Sequence, residues 1–153
     1  MHKPYAIRRV RPADLDRIME IERASFGADA YDRNLFAEYT RKCGDLFLVA
    51  ERAEKVWAYL LTCRRPGAFG NRAEVVSLAV DPAVRGRGVA SALMKSCLRR
   101  LRLRGISRLA LMVKVTNVAA RAFYEKYQFE KVRTVRGYYE DGADGWRMCR
   151  TRY

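Results

Sequence analysis

The segment Arg85-Gly86-Arg87-Gly88-Val89-Ala90 holds the residue types and spacing that bear most directly on chemistry. It follows an apolar run, Val75 to Val80, that ends at Asp81-Pro82, and it opens a helical pattern. In such a turn several backbone N–H groups can point outward together at the positive end of a helix dipole, which makes a cradle for phosphate. A side chain at Gly86 or Gly88 would hold the phosphate oxygens away, and Arg85 and Arg87 add positive charge beside them. A glycine-rich connection with no ligand has the same composition, so the neighbouring elements must decide between the two. Other reaction centres are poorly supplied. Cys43, Cys63, Cys97 and Cys149 form no C-x-x-C pair and the one histidine is His2, which argues against a zinc or other metal site and against a paired base for a cysteine nucleophile. Cys97 falls on an apolar helical stripe and Cys63 near a strand end, so we expect reduced, mostly buried thiols.

The elements that would position this turn can be traced along the chain. Tyr5 to Val10 alternates as a strand, and Arg11-Pro12-Ala13-Asp14 starts a helix with Leu15, Ile18, Met19 and Ile21 at helical spacing. Asp32 can cap a second helix that carries Leu35, Phe36 and Tyr39 and runs to about Lys42. Asp45 to Glu51 and Lys55 to Thr62 read as an antiparallel hairpin, and a loop rich in Arg, Pro and Gly spans Arg64 to Arg72. Behind the glycine turn, Ala90, Leu93, Met94, Cys97, Leu98 and Leu101 share one helix face, while Arg99, Arg100, Arg102 and Arg104 point elsewhere. Gly105 ends that helix. Leu109 to Val115 is a strand, Asn117 to Tyr127 a helix, and Phe129 to Val135 and Trp146 to Arg150 two last strands. The expected order is β-α-α-β-β-β-α-β-α-β-β, an α/β (α+β) fold. Its mixed sheet has about seven strands and a parallel strand-helix-strand unit.

With 153 residues, 50% of them hydrophobic, the chain has apolar material for one continuous core. No linker or repeat divides it, so a single domain over 1–153 is expected. No apolar run reaches signal-peptide or membrane-spanning length, and a soluble cytoplasmic protein without membrane association is expected. Thirty-one Lys and Arg against seventeen Asp and Glu give a formal net charge of +14. That field attracts polyanions, which leaves three readings open: a well-solvated basic surface, a site for a phosphorylated cofactor and acidic segments, or nucleic-acid or ribosome association.

The pattern Arg85-x-x-Gly88-x-Ala90 after an apolar strand, followed by Asn117-x-x-Ala120-x-x-x-Tyr124, resembles the GNAT acetyltransferases. The likeness is close over about Ala73 to Phe129 and extends in order and type to the remaining segments, with the ribosomal-protein N-alpha-acetyltransferases most alike. A Rossmann dinucleotide site fits less well, because its turn follows an early strand and wants an acidic residue where this chain has Lys114. The resemblance implies an enzyme that moves an acetyl group from acetyl-CoA to a primary amine by direct attack. Backbone amides of Arg85, Gly86, Arg87, Gly88, Val89 and Ala90 would hold the pyrophosphate, and Leu78, Ala79 and Val80 would run along the pantetheine. An N–H near Leu78 would face the thioester oxygen. Tyr124 is implied as the acid that protonates the departing thiolate and Asn117 as a helix cap or pantetheine contact; Lys126, one turn from Phe123, is in place either to reach the CoA phosphates or to stand as a solvated lysine. Glu74 is implied as a base acting through water. One departure matters here: Met112 stands where the N-alpha-acetyltransferases carry a glutamate. Another is Gln128, where the family usually has glycine before the phenylalanine.

On the substrate side, Tyr138-Tyr139 resembles the tyrosines with which N-terminal acetyltransferases grip a peptide, and Phe26 and Tyr31 would form the facing wall. A peptide or protein N-terminal α-amine is the expected substrate. The alternatives are a small-molecule amine such as an aminoglycoside, polyamine or amino-acid derivative, a protein lysine, or a non-catalytic nucleic-acid or ribosome-binding module on the same scaffold. A monomer or homodimer fits equally well.

Overall fold

The computed structural model describes residues 4–65 and 71–151. Part of the arginine- and glycine-rich loop expected between Arg64 and Arg72, and His2, lie outside the described residues. The expected element order is found: strand β1 (Ala6–Arg9), helices α1 (Leu15–Phe26) and α2 (Arg33–Lys42), strands β2 (Phe47–Arg52), β3 (Lys55–Arg65) and β4 (Arg72–Val80), helix α3 (Val89–Leu103), strand β5 (Arg108–Lys114), helix α4 (Val118–Lys126), and strands β6 (Glu130–Val135) and β7 (Gly145–Arg150). Local chemistry sets several boundaries. The Asp32 carboxylate accepts from the Leu35 N–H at 2.9 Å, and the Asn117 side chain accepts from the Ala120 N–H at 3.2 Å, so each satisfies an orphan donor of the first turn. Gln128, at the end of α4, adopts φ +68° where glycine is the usual choice, and its side-chain oxygen accepts from Arg150.

The seven strands form one mixed sheet in the order β1-β2-β3-β4-β5-β7-β6. Helices α1 and α2 cover one face, with Ile18, Ile21 and Phe36 packed against Phe47, Tyr59 and Leu61. Helices α3 and α4 cover the other, with Leu93, Met94, Cys97 and Tyr124 against Leu48, Leu60 and Leu111. Among the described residues the single parallel pairing, β4 with β5, runs only from Arg72 to Val75, while β4 continues to Val80. At the same place the β3–β4 register skips Val76, pairing Leu61 with Ser77 and Thr62 with Val75. This bulge turns Ser77 and Ala79 toward the α1 side, whereas Val75 belongs to the core beneath α3. The two strands therefore part beyond Val75, and the next five residues of β4 have no β5 partner.

The thiol expectation needs correction. Cys43 and Cys63 are joined as a disulfide, with Cα atoms 5.1 Å apart. Cys43 ends α2 and Cys63 sits on β3, so it is the packing of that helix on that strand that brings them together. Cys97 and Cys149 are free, and burial pushes the Cys97 thiol up to about 11.

Candidate active site

The parting of β4 and β5 opens two cavities that share a boundary. One, of about 580 Å³, runs from Leu78, Ala79 and Val80 past Arg85, Gly86, Gly88, Val89 and Ala90 to Lys126. The other, of about 330 Å³, is walled by Phe26, Tyr31, Met112, Lys114 and Tyr139. Ser25, Phe26, Leu78, Asn117, Ala120 and Tyr124 line both, so a group held in one meets a group held in the other at Leu78 and Tyr124.

The glycine turn earns its residues through backbone conformation. Gly86 and Gly88 both have φ +78°, which L side chains rarely adopt, and a Cβ at either would meet nothing within 4 Å. Gly88 caps α3 in the left-handed region and offers no side-chain cap to the first N–H groups of that helix, whose residues line the cavity. Arg85 donates to the Val80 carbonyl at 3.1 Å and to the Ser25 hydroxyl at 3.2 Å, tying the turn to both β4 and α1. Arg87 is exposed and is not part of the cavity wall. A phosphorylated cofactor fits this surface: an anion end at the N-terminus of α3, and an edge of β4 without strand partners beside it.

Tyr124 is 7% exposed and packs edge to face on Phe123 and Phe129, with ring centroids 5.5 Å away in each case. Burial, and next the nearby Tyr139, push its pKa well above the ordinary phenol value, so it stays protonated and able to donate. Asn117 both caps α4 and lines the two cavities.

Across the smaller cavity, burial together with Tyr138 and Tyr31 pushes Tyr139 up to about 12. Tyr31 is also raised, by burial first and then by Tyr138 and Glu22. Tyr138 is 50% exposed and stands outside the wall, with its ring 5.0 Å from that of Tyr139. Glu74 has its carboxylate fixed by Arg147 at 2.7 Å and Arg65 at 3.2 Å and does not line either cavity. Met112 does line the smaller one, with its Cε against Gly145, where a Cβ would come within 2.8 Å.

Sequence reasoning missed three participants. Lys114 reaches Asp29 at 2.9 Å and Asp141 at 2.7 Å and lies 5.3 Å over the Tyr139 ring, linking the loop after α1 to the loop between β6 and β7. Ser77 is turned to the α1 side only by the bulge. Glu22 lies four residues after Ile18 and three after Met19, and a carboxylate on the apolar stripe was the available signal.

Residues 15–129 match the acetyltransferase (GNAT) family. An N-alpha-acetyltransferase of Saccharolobus solfataricus is 30% identical over 158 residues, spanning 97% of this chain and 93% of that protein. The crystal structure of Ard1 from Thermoplasma volcanium superposes with a TM-score of 0.92 at 26% identity, covering 99% of both chains. The ribosomal-protein-S18-alanine N-acetyltransferase of Escherichia coli superposes with a TM-score of 0.81 at 25% identity, covering 97% of this chain and 95% of that one. With the anion cradle, the parted strands and these likenesses together, the chain belongs to the GNAT acetyltransferase family and is an acetyl-CoA-dependent enzyme.

Proposed function

We propose that the protein is an N-alpha-acetyltransferase that transfers acetyl from acetyl-CoA to the α-amine of a peptide or protein N-terminus, with residues 1–153 acting as one catalytic domain. The observation that carries this reading is the meeting of the two cavities at Leu78 and Tyr124, one built for an anionic cofactor and the other walled by aromatic rings. Backbone amides of Arg85 to Ala90 hold the pyrophosphate, and Arg87 adds charge from outside the wall. The pantetheine lies along Leu78 to Val80, with Asn117 opposite and Lys126 toward the phosphates. An N–H near Leu78 faces the thioester oxygen, and one such donor is typically worth about 3 to 4 kcal/mol in the transition state. Tyr124 delivers a proton to the departing thiolate. Phe26, Tyr31 and Tyr139 grip the first residues of the peptide, with Tyr138 buttressing Tyr139. Glu74 holds the neighbouring strands through its two arginines and does not meet the amine.

The named relatives support the α-amine over a lysine or a small amine. Chemistry agrees: an α-amine with pKa about 7.7 to 8.0 is roughly 10 to 15% neutral at pH 7, whereas a lysine near 10.4 is below about 0.1%. Among the described residues no helix is long and apolar enough to cross a membrane. On α3, Arg99 and Arg102 are exposed, while Arg100 reaches the Asp45 carbonyl and Arg104 pairs with the Asp45 carboxylate. This basic face supports attachment to a polyanion such as the ribosome, which would weaken steeply with salt.

The test is thiol release from acetyl-CoA against peptides with free N-termini, N-blocked lysine peptides and small amines. Turnover on free N-termini well above the other two classes is expected. Preference for a lysine or a small amine would overturn the substrate assignment.

A further inference from the structure

Glu22, on α1, has 1% of its surface exposed, yet it forms part of the wall of the aromatic cavity. Its Oε1 accepts from the Ser77 hydroxyl at 2.8 Å and from the Tyr59 hydroxyl, and its Oε2 accepts from the Tyr31 N–H at 2.9 Å. All three donors are neutral. Burial, reinforced by the charge on Glu22, raises the Tyr59 phenol well above its ordinary value, so Tyr59 remains a donor. Among the described residues no ion pair includes Glu22. Among the described residues the one cation in the same wall, Lys114, is already matched by Asp29 and Asp141. The other polar groups facing this space are Ser25 of α1, Asp29 and Tyr31 of the following loop, Asn117 at the start of α4, Tyr124 of α4 and Tyr139 of the β6–β7 loop.

A buried carboxylate with hydrogen bonds but no counter-charge is costly, and the usual compensation is a cation at its open side. A carboxylate offers about four acceptor positions, of which three are filled here. The cavity beside Glu22 is where the substrate amine must arrive, and it arrives mostly as ammonium. Met112 occupies the β5 position where a carboxylate would otherwise receive it.

We propose that Glu22 receives the substrate α-ammonium group and takes its first proton, serving where Met112 cannot. This assignment rests on the α-amine reading above. The ammonium gives one proton to the Glu22 carboxylate and becomes a neutral amine. Its lone pair forms the C–N bond as the thioester C–S bond breaks. The second proton leaves nitrogen as the amide forms, and one proton reaches the departing thiolate through Tyr124. The proton on Glu22 is then lost to solvent, so one proton is released per turnover.

The first experiment compares wild type with Glu22→Gln across pH, using a peptide with a free N-terminus. At about pH 7 the variant should lose about 100-fold in kcat/KM for the peptide, with the acetyl-CoA KM within about twofold of wild type. Near pH 9.5, where the amine arrives neutral, the deficit should shrink to below about tenfold. A deficit equal at both pH values, or one that Tyr59→Phe reproduces with the same pH dependence, would make Glu22 a structural prop and overturn the proposal. Charge recognition is also tested without any substitution: wild type saturated with CoA is assayed for binding of the peptide and of its α-hydroxy isostere. At pH about 6.5 the amine should bind at least about tenfold tighter, and equal binding overturns the proposal. Failure of the substrate reading shows separately, as absent turnover of free N-termini by wild type.

Discussion

At the scale of single residues, the acid and the base suggested by sequence, Tyr124 and Glu74, have different surroundings in the fold. Tyr124 sits at the junction of both cavities with its pKa raised by burial, so it keeps its proton across the neutral and mildly alkaline range. Tyr124→Phe should lower kcat by about 10²-fold or more with little change in acetyl-CoA KM, since general acids contribute at least that much. Glu74 is bound by Arg65 and Arg147, and Glu74→Gln should cost less than about fivefold in kcat while weakening the strand ends, because paired carboxylates at partly exposed positions contribute modestly. Steady-state kinetics on the two variants separates these outcomes. Tyr124 was legible because its spacing from Asn117 follows the family pattern. Glu22 was not singled out, since its hydrogen-bond partners come from residues nine, 37 and 55 positions away.

At the scale of elements, the turn into α3 and the start of α1 make two measurable claims. Gly88→Ala forces a Cβ into φ +78°, which costs about 1 to 2 kcal/mol, and should lower Tm and raise the acetyl-CoA KM together. Asp14 accepts two hydrogen bonds from Arg8, each 2.9 Å, and one from the Arg11 N–H at 2.7 Å. Burial alone would raise its pKa, but the Arg8 bond and the Arg11 N–H outweigh it and hold the carboxyl below its ordinary value of 3.8. A depressed carboxylate stabilises the fold above that ordinary value, and the contribution disappears as pH falls through the folded-state pKa. Asp14→Asn should therefore lose about 1 to 3 kcal/mol at neutral pH and show a flatter acid limb in denaturant melts from about pH 5 downward through the depressed folded-state pKa. Element order and boundaries were legible to within a few residues, because periodicity, the Asp32 and Asn117 caps and the glycine stops are local signals. The bulge at Val76 was not, since Val75 to Val80 reads as an uninterrupted apolar strand and only the pairing with β3 shows which residue is skipped.

At the scale of the whole molecule, the Cys43–Cys63 bond closes a loop between residues 20 positions apart and fastens α2 to the sheet. Chain-entropy arguments give such a bond about 3 kcal/mol. Thiol titration of the denatured, unreduced protein should find two free thiols, and reduction should lower Tm by roughly 6 to 12 °C, at about 2 to 4 °C per kcal/mol for a domain of this size. Finding four thiols would remove the bond. The same packing that closes this loop also brings Glu22 against Tyr59 and Ser77, so the α1–α2 layer serves both stability and the site.

The sequence by itself determined the element order, the mixed sheet, the glycine turn before α3 and the place of Tyr124 on α4, because each rests on patterns within a few turns of chain. The tertiary structure decided what depends on distant segments meeting. It parted β4 from β5 beyond Val75, joined Cys43 to Cys63, tied Lys114 to two loops, and committed Glu74 to arginines from β3 and β7. It also placed Glu22 at the cavity wall with no ion-pair partner among the described residues. Burial and charge pairing are properties of assembled surroundings, and no local spacing encodes them.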